Sequence, residues 1–145
     1  MDVESSTQRF WLFKEEPDHY SYDRLVEDGE TVWDGVTNNL ALKHLRSVKK
    51  GDLALFYHTG KEKRVVGVMR IKSDPYPNPK LRDPKLVVVD VEPVQHLPRP
   101  VGLSEIKSDA KLKGFELVRL PRLSIMPVPK EIWDKILRMA NTKTQ

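Results

Sequence analysis

The sequence predicts an α+β domain built on a curved, barrel-like sheet with helices placed around it. Three observations lead there. Short runs rich in β-branched and aromatic residues recur between turn residues, as strands do. Helical patterns are inserted between some of these runs instead of alternating regularly with them. A segment with an apolar stripe at helical spacing closes the chain. A doubly wound sheet or a (β/α)8 barrel would need regular strand–helix units, which this order lacks.

Phe10 to Lys14 is apolar and aromatic and reads as a strand, broken by Glu16-Pro17-Asp18. Ser21 suits the cap of a short helix over Tyr22 to Asp28, and Gly29 its stop. Thr31 to Asp34 is a brief extended piece ending at Gly35. Thr37 or Asn38 then caps a helix whose apolar face carries Ala41, Leu42, Leu45 and Val48. After a turn at Lys49 to Asp52, Leu53 to His58 and Arg64 to Ile71 form a hairpin. The first of these has apolar groups on both faces, which predicts a central strand.

Ser73 to Pro84 holds four prolines and reads as a stiff loop. Lys85 to Val94 is a strand whose end Pro93 places at an edge or bulge. Leu97 to Pro100 reads as a break. Ser104 is expected to cap a short helix through Lys107, and Asp109 to start a further turn that Gly114 ends. Leu120 to Val128 reads as extended. Pro129 to Met139 is an amphipathic helix with Ile132, Trp133, Ile136 and Leu137 on its stripe. Residues 1–8 and 141–145 are expected to be frayed tails around a single domain over 9–140.

At 145 residues one domain is expected, long enough to bury a core unaided. Cysteine is absent, which excludes disulfide frameworks, thiolate nucleophiles and Cys-based zinc sites. The start lacks the basic and apolar regions of a signal peptide, and no apolar run approaches a membrane span. A cytoplasmic protein is expected, nuclear if the source is eukaryotic, and a monomer, with no membrane partner. The net charge of +4 is mild but uneven. Residues 1–42 hold three Lys or Arg against ten Asp or Glu, whereas residues 43–72 hold nine against two. Such a basic block attracts phosphate, and it is equally the composition of a solvated surface.

Catalytic signatures are scarce. There is no G-x-S-x-G elbow, phosphate-binding loop or dinucleotide fingerprint. His19, His44, His58 and His96 lack the i, i+4 spacing of a helical zinc site, and no metal or cofactor is expected. Aromatic and amide chemistry remains. Trp33 to Asn39 places a flat ring, a carboxylate, a permissive glycine and two amides within seven residues. Those groups can stack a base and bond its edge. A core role for Trp33 and a capping role for Asn38 account for the same residues. Tyr57 and His58 could reach a pocket at the end of their strand, and Arg122 with Ser124 could meet a phosphate or a base edge.

Several blocks taken together resemble the EVE-domain family of the PUA-like superfamily. Phe10 to Asp18 with Tyr20-Ser21 is similar to the family's WLxKxEPDxYS opening, and Trp33 to Asn38 to its WDGVRN. Gly51-Asp52-Leu53 with Phe56 to Thr59 resembles GDxxxFYHS, and Asp74 to Pro77 its xAYPDP segment. Arg99-Pro100-Val101 and Arg122 to Val128 resemble RPV and RLSVxPV. The resemblance implies a PUA-like curved β-barrel with peripheral helices, and a non-catalytic module that holds a modified base, such as a modified cytosine in DNA or RNA, in an aromatic pocket. It implies Trp11 or Trp33 as stacking walls, Lys14, Asn38, His58 and Ser124 as polar edge contacts, and Tyr57 and Arg122 near the mouth. Two residues depart from the pattern: Thr37 stands where the family has Arg, and Asn39 where it has Tyr. Without that Arg, phosphate contact would fall to Lys43, Arg46, Arg64 or Arg122. The rival expectations are a general RNA-binding domain and an enzyme acting on a nucleobase with Asp34 or His58 as base.

Overall fold

The computed structural model describes residues 8–142. Seven strands make one sheet in the order β2-β6-β4-β3-β1-β7, with β5 paired to β6 off this path. The strands are β1 (Phe10–Glu15), β2 (Thr31–Trp33), β3 (Leu53–His58), β4 (Arg64–Ile71), β5 (Tyr76–Pro77), β6 (Val87–Gly102) and β7 (Ile125–Pro127). Around them lie α1 (Tyr22–Asp28), α2 (Asn39–Ser47), α3 (Leu103–Ser108), α4 (Glu116–Arg119) and α5 (Lys130–Met139), with a 3-10 turn at Ala110–Leu112. The expected α+β class and curved sheet are both present. Curvature brings the far edge back over the middle: Trp33 of β2 lies 5.3 Å from Phe13 of β1 and 5.4 Å from Phe56 of β3, ring centre to ring centre.

The order of hydrophobic residues explains the layering. All six residues of β3 are buried, because β3 lies between β1, which runs parallel to it, and β4, which runs antiparallel. The crossover from β1 to β3 contains α1, β2 and α2. Ala41, Leu42 and Leu45 of α2 turn inward, as do Trp133, Ile136 and Leu137 of α5, so both helices cover the sheet with their apolar stripes.

Two polar anchors pin this arrangement. Asp52 is buried and accepts three hydrogen bonds, from the Trp11 indole N–H (2.9 Å), the Arg9 amide (3.1 Å) and the Lys49 amide (2.9 Å). Tyr22 is buried and its hydroxyl donates to the carbonyls of Val68 (2.6 Å) and Gln95 (2.9 Å), tying α1 to the β4–β6 seam. Burial pushes that hydroxyl up to about 12, so the phenol remains a donor through the physiological range.

Several local expectations change. The break expected at Leu97 to Pro100 does not end the strand, because β6 runs on through Pro93, Pro98 and Pro100, but those four residues form a bulge that pairs with nothing in β4. The prolines sit at bulges: the β4–β6 register shifts between Gln95 and Pro93, and it jumps from Gly67↔His96 to Val65↔Val101, so Pro98 and Pro100 owe no ladder bond to β4. Tyr76 and Pro77, expected in a loop, pair with Val88 and Val87. The cap of α3 is Gly102, not Ser104: Glu105 reaches back to the Gly102 amide at 3.2 Å and starts the helix there. Leu120 to Leu123 is a turn, and only Ile125 to Pro127 is strand. Asn141 and Thr142 are not frayed, because their amides bond to Arg138 and Leu137 carbonyls; residues 1–7 and 143–145 of the expected tails lie outside the described residues.

Candidate functional site

A cleft of about 350 Å³ opens where α2 begins, between Asn38 and Leu40 on one side and Arg119 to Leu123 on the other. That volume falls within the range of small-molecule sites. Its floor is aliphatic, from Leu40, Leu120, Pro121 and Leu123, and its polar groups are Asn38, Arg119 and Arg122. Asn38 is positioned by its own helix: its Oδ1 accepts the Ala41 amide at 3.0 Å and caps α2. With the oxygen engaged, the amide nitrogen is left to donate, so Asn38 addresses an acceptor on whatever enters.

Behind the 119–123 wall stands a second layer. The Lys14 ammonium donates to the Pro121 carbonyl at 2.8 Å, and its amide bonds the Ser124 carbonyl at 2.9 Å. Parallel pairing of β1 and β3 places Lys14 beside Tyr57, with the ammonium 5.6 Å from the ring centre. Burial holds the Lys14 ammonium below its ordinary value and pushes the Tyr57 hydroxyl up to about 12. The Ser124 hydroxyl makes no hydrogen bond among the described residues, and neither do the exposed side chains of Asp34, Thr37 and Asn39 in the approach to α2.

The structure therefore brings Asn38 and Arg122 into one cleft, with Lys14, Tyr57 and Ser124 close behind its wall. Other expected contacts lie elsewhere. Trp11 is 2% exposed and its N–H is held by Asp52, so it is a core residue and offers no free face as a stacking wall. Trp33 is 5% exposed, packed edge-on between Phe13 and Phe56 at the root of the loop that leads to Asn38. Neither indole lines the cleft, whose walls are aliphatic side chains, two guanidinium groups and the Asn38 amide.

His58 is also withdrawn from the cleft. Its Nε2 lies 3.1 Å from the Tyr22 amide, which can only donate, so Nε2 is the acceptor and the ring proton sits on Nδ1. Nδ1 then donates to Glu62 at 2.9 Å. Both nitrogens are engaged, leaving none to act as a base or edge contact. Through that bond first, and Arg64 after it, Glu62 is held below the usual carboxylate range. Arg64, expected to meet phosphate, has its charge answered by Glu62 at 3.1 Å. Lys43 and Arg46 remain exposed on α2.

The sequence reading missed Leu40, Arg119, Leu120, Pro121 and Leu123 as lining residues. One signal for them existed. Leu40 sits at the margin of the α2 stripe and is 41% exposed, an apolar side chain spent on solvent. The others depend on the turn at 120–123, which an extended reading conceals.

A model of the EVE domain matches residues 9–139. Thymocyte nuclear protein 1 of Mus musculus is 33% identical over 168 residues, covering 92% of this chain and 74% of that protein. A crystal structure of the human THYN1 protein in complex with 5-methylcytosine-containing DNA superimposes with a TM-score of 0.86 at 30% identity, covering 94% of this chain and all (100%) of that one. A YTH domain of Zygosaccharomyces rouxii, solved with N6-methyladenosine RNA, has a TM-score of 0.59 at 18% identity over 95% of this chain and 89% of that one, a likeness of fold alone.

Proposed function

The chain belongs to the EVE domain family, and from that premise we propose that it is a non-catalytic nucleic-acid reader that takes one modified base, a 5-substituted cytosine, into the cleft at the start of α2. The observation that carries this reading is the cleft itself, an aliphatic hollow whose rim offers an amide donor at Asn38 and two guanidinium groups. The human relative solved with 5-methylcytosine DNA supports the choice of ligand.

The roles follow from which groups are free. Asn38, the one amide that lines the cleft, donates to the O2 or N3 acceptor of the cytosine edge. Arg122, which makes no hydrogen bond among the described residues, and Arg119, whose Nε donates to the Gly114 carbonyl at 3.2 Å and leaves its terminal N–H groups over, supply planar cations that stack on a base or hold a phosphate. The floor of Leu40, Leu120, Pro121 and Leu123 receives the added methyl. Trp33 supports this site from below by fixing the root of the 34–38 loop. His58 is engaged through both nitrogens, which counts against the enzyme reading. The protein would work in the nucleus of a eukaryote and in the cytoplasm otherwise, as a single copy.

Removing one methyl group from water is worth about 0.8 kcal/mol, or about a fourfold preference. Titrating labelled oligonucleotides of one sequence, with cytosine or 5-methylcytosine at a single position, tests this. The modified strand is expected to bind at least about fourfold more tightly, and Arg122→Ala to weaken both. Equal affinity for the two strands would remove the reader and leave a general RNA- or DNA-binding domain.

A further inference from the structure

Positive charge that no carboxylate answers collects along α2 and the loop that joins β5 to β6. Lys43 and Arg46 stand on the exposed face of α2, and Lys80, Arg82 and Lys85 stand in the fully exposed stretch 79–85. None of the five belongs to an ion pair among the described residues, whereas Arg64, Arg70, Lys72 and Arg99 elsewhere each have a carboxylate within 3.1 Å. The one acid among them, Asp83, is used by the backbone: its Oδ1 accepts the Lys85 amide at 2.9 Å.

This surface is also stiff. Asn78 caps the Lys80 amide at 2.9 Å with its side chain and accepts the Leu81 amide at 3.1 Å with its carbonyl, and its own amide bonds Leu86 at 3.0 Å. Pro79 and Pro84 restrict the backbone between these bonds. Arg46 docks the loop on α2 through the Lys85 carbonyl at 3.2 Å. At the tip Leu81 is 50% exposed, between two cations. An apolar side chain flanked by unanswered positive charge suits a polyanion that also carries apolar edges.

We propose that the face formed by α2 and the 78–86 loop is a second nucleic-acid contact, which grips the phosphodiester backbone flanking the captured base while Leu81 rests on sugar or base edges. The proposal rests on the reading of the cleft as a base pocket. Leu40 at the cleft and Arg46 at the docked loop are six residues apart on one helix, about 9 Å of rise. The cations therefore meet phosphates of neighbouring nucleotides, not that of the base in the cleft.

The test is the salt dependence of binding. Lys80→Ala/Arg82→Ala/Lys85→Ala changes only exposed side chains, and a thermal melt confirms that it folds. The slope of log binding constant against log salt is expected to shrink by about 2.7 when the probe is a duplex DNA carrying 5-methylcytosine, and by about 2.1 when it is a single strand carrying the same base. Lys80→Arg/Lys85→Arg should keep the wild-type slope. The preference for a modified base should be unchanged in the triple variant. A slope that stays within 0.5 of wild type overturns the second contact. Loss of modified-base preference in the wild-type protein, with the slope still shrinking in the variant, would instead overturn the pocket and leave the backbone contact standing.

Discussion

Gly67→Ala is expected to destabilise the protein by about 3 kcal/mol. A Cβ at residue 67 would stand 2.5 Å from Cζ of Tyr22 and 2.6 and 2.7 Å from its Cε atoms, far inside contact distance. The ring has no route of retreat. Its hydroxyl is held by Val68 and Gln95, its backbone amide by His58, and its flanks by Phe56 and His96 at 5.4 and 4.8 Å. The β4 strand is held on both sides, with Gly67 paired to Phe56 of β3 and to His96 of β6. For a chain of this size the loss corresponds to a fall of about 10 °C in melting temperature. In a Tyr22→Leu background the added methyl has room, so the double variant should lose little beyond Tyr22→Leu alone. Unchanged stability of the single variant would mean that the Tyr22 ring does not lie on the Gly67 backbone.

Asp52→Ala is expected to cost about as much, roughly 3 kcal/mol, for an electrostatic reason. The carboxylate satisfies the buried Trp11 indole and the amides of Arg9 and Lys49. The two amides lie at the protein's margin, where water can replace the lost acceptor, but the indole N–H is left stranded in the core. Asp52→Asn retains one oxygen and should lose only about 1 kcal/mol. Adding Trp11→Phe to Asp52→Ala removes the stranded donor, so the two changes should cost less together than the sum of their separate effects in urea unfolding.

Much of the fold was legible because its local signals are obeyed in the assembled structure. Gly51-Asp52-Leu53, Phe56 to His58 and the caps Ser21 and Asn38 each carry a local instruction that the tertiary structure obeys: the Ser21 hydroxyl accepts from Arg24 and Asn38 from Ala41. The course of β6 was concealed, because prolines argue against a strand unless bulges take them, and where the bulges fall is a property of the assembled sheet. The site was harder to read for a related reason. Aromatic content drew attention to Trp11 and Trp33, yet a strand sequence does not say which face of an indole the fold will cover. Once the sheet curls, Trp33 meets Phe13 and Phe56, and the hollow forms instead from a turn, Leu120 to Leu123, and the first residues of a helix. Asn38 and Arg122, both singled out from the sequence, line that cleft, while both ring nitrogens of His58 are taken by hydrogen bonds away from it.

The central claim is that a modified base enters the hollow between the start of α2 and residues 119–123. Amide chemical shifts followed by NMR, during titration with an oligonucleotide carrying 5-methylcytosine and with its unmodified counterpart, test it at residue resolution. The difference between the two titrations is predicted to peak at Asn38, Leu40, Arg119, Arg122 and Ser124, with Lys14 close behind. Identical shifts from both oligonucleotides, or a difference centred on a surface remote from the cleft such as α5, would contradict it.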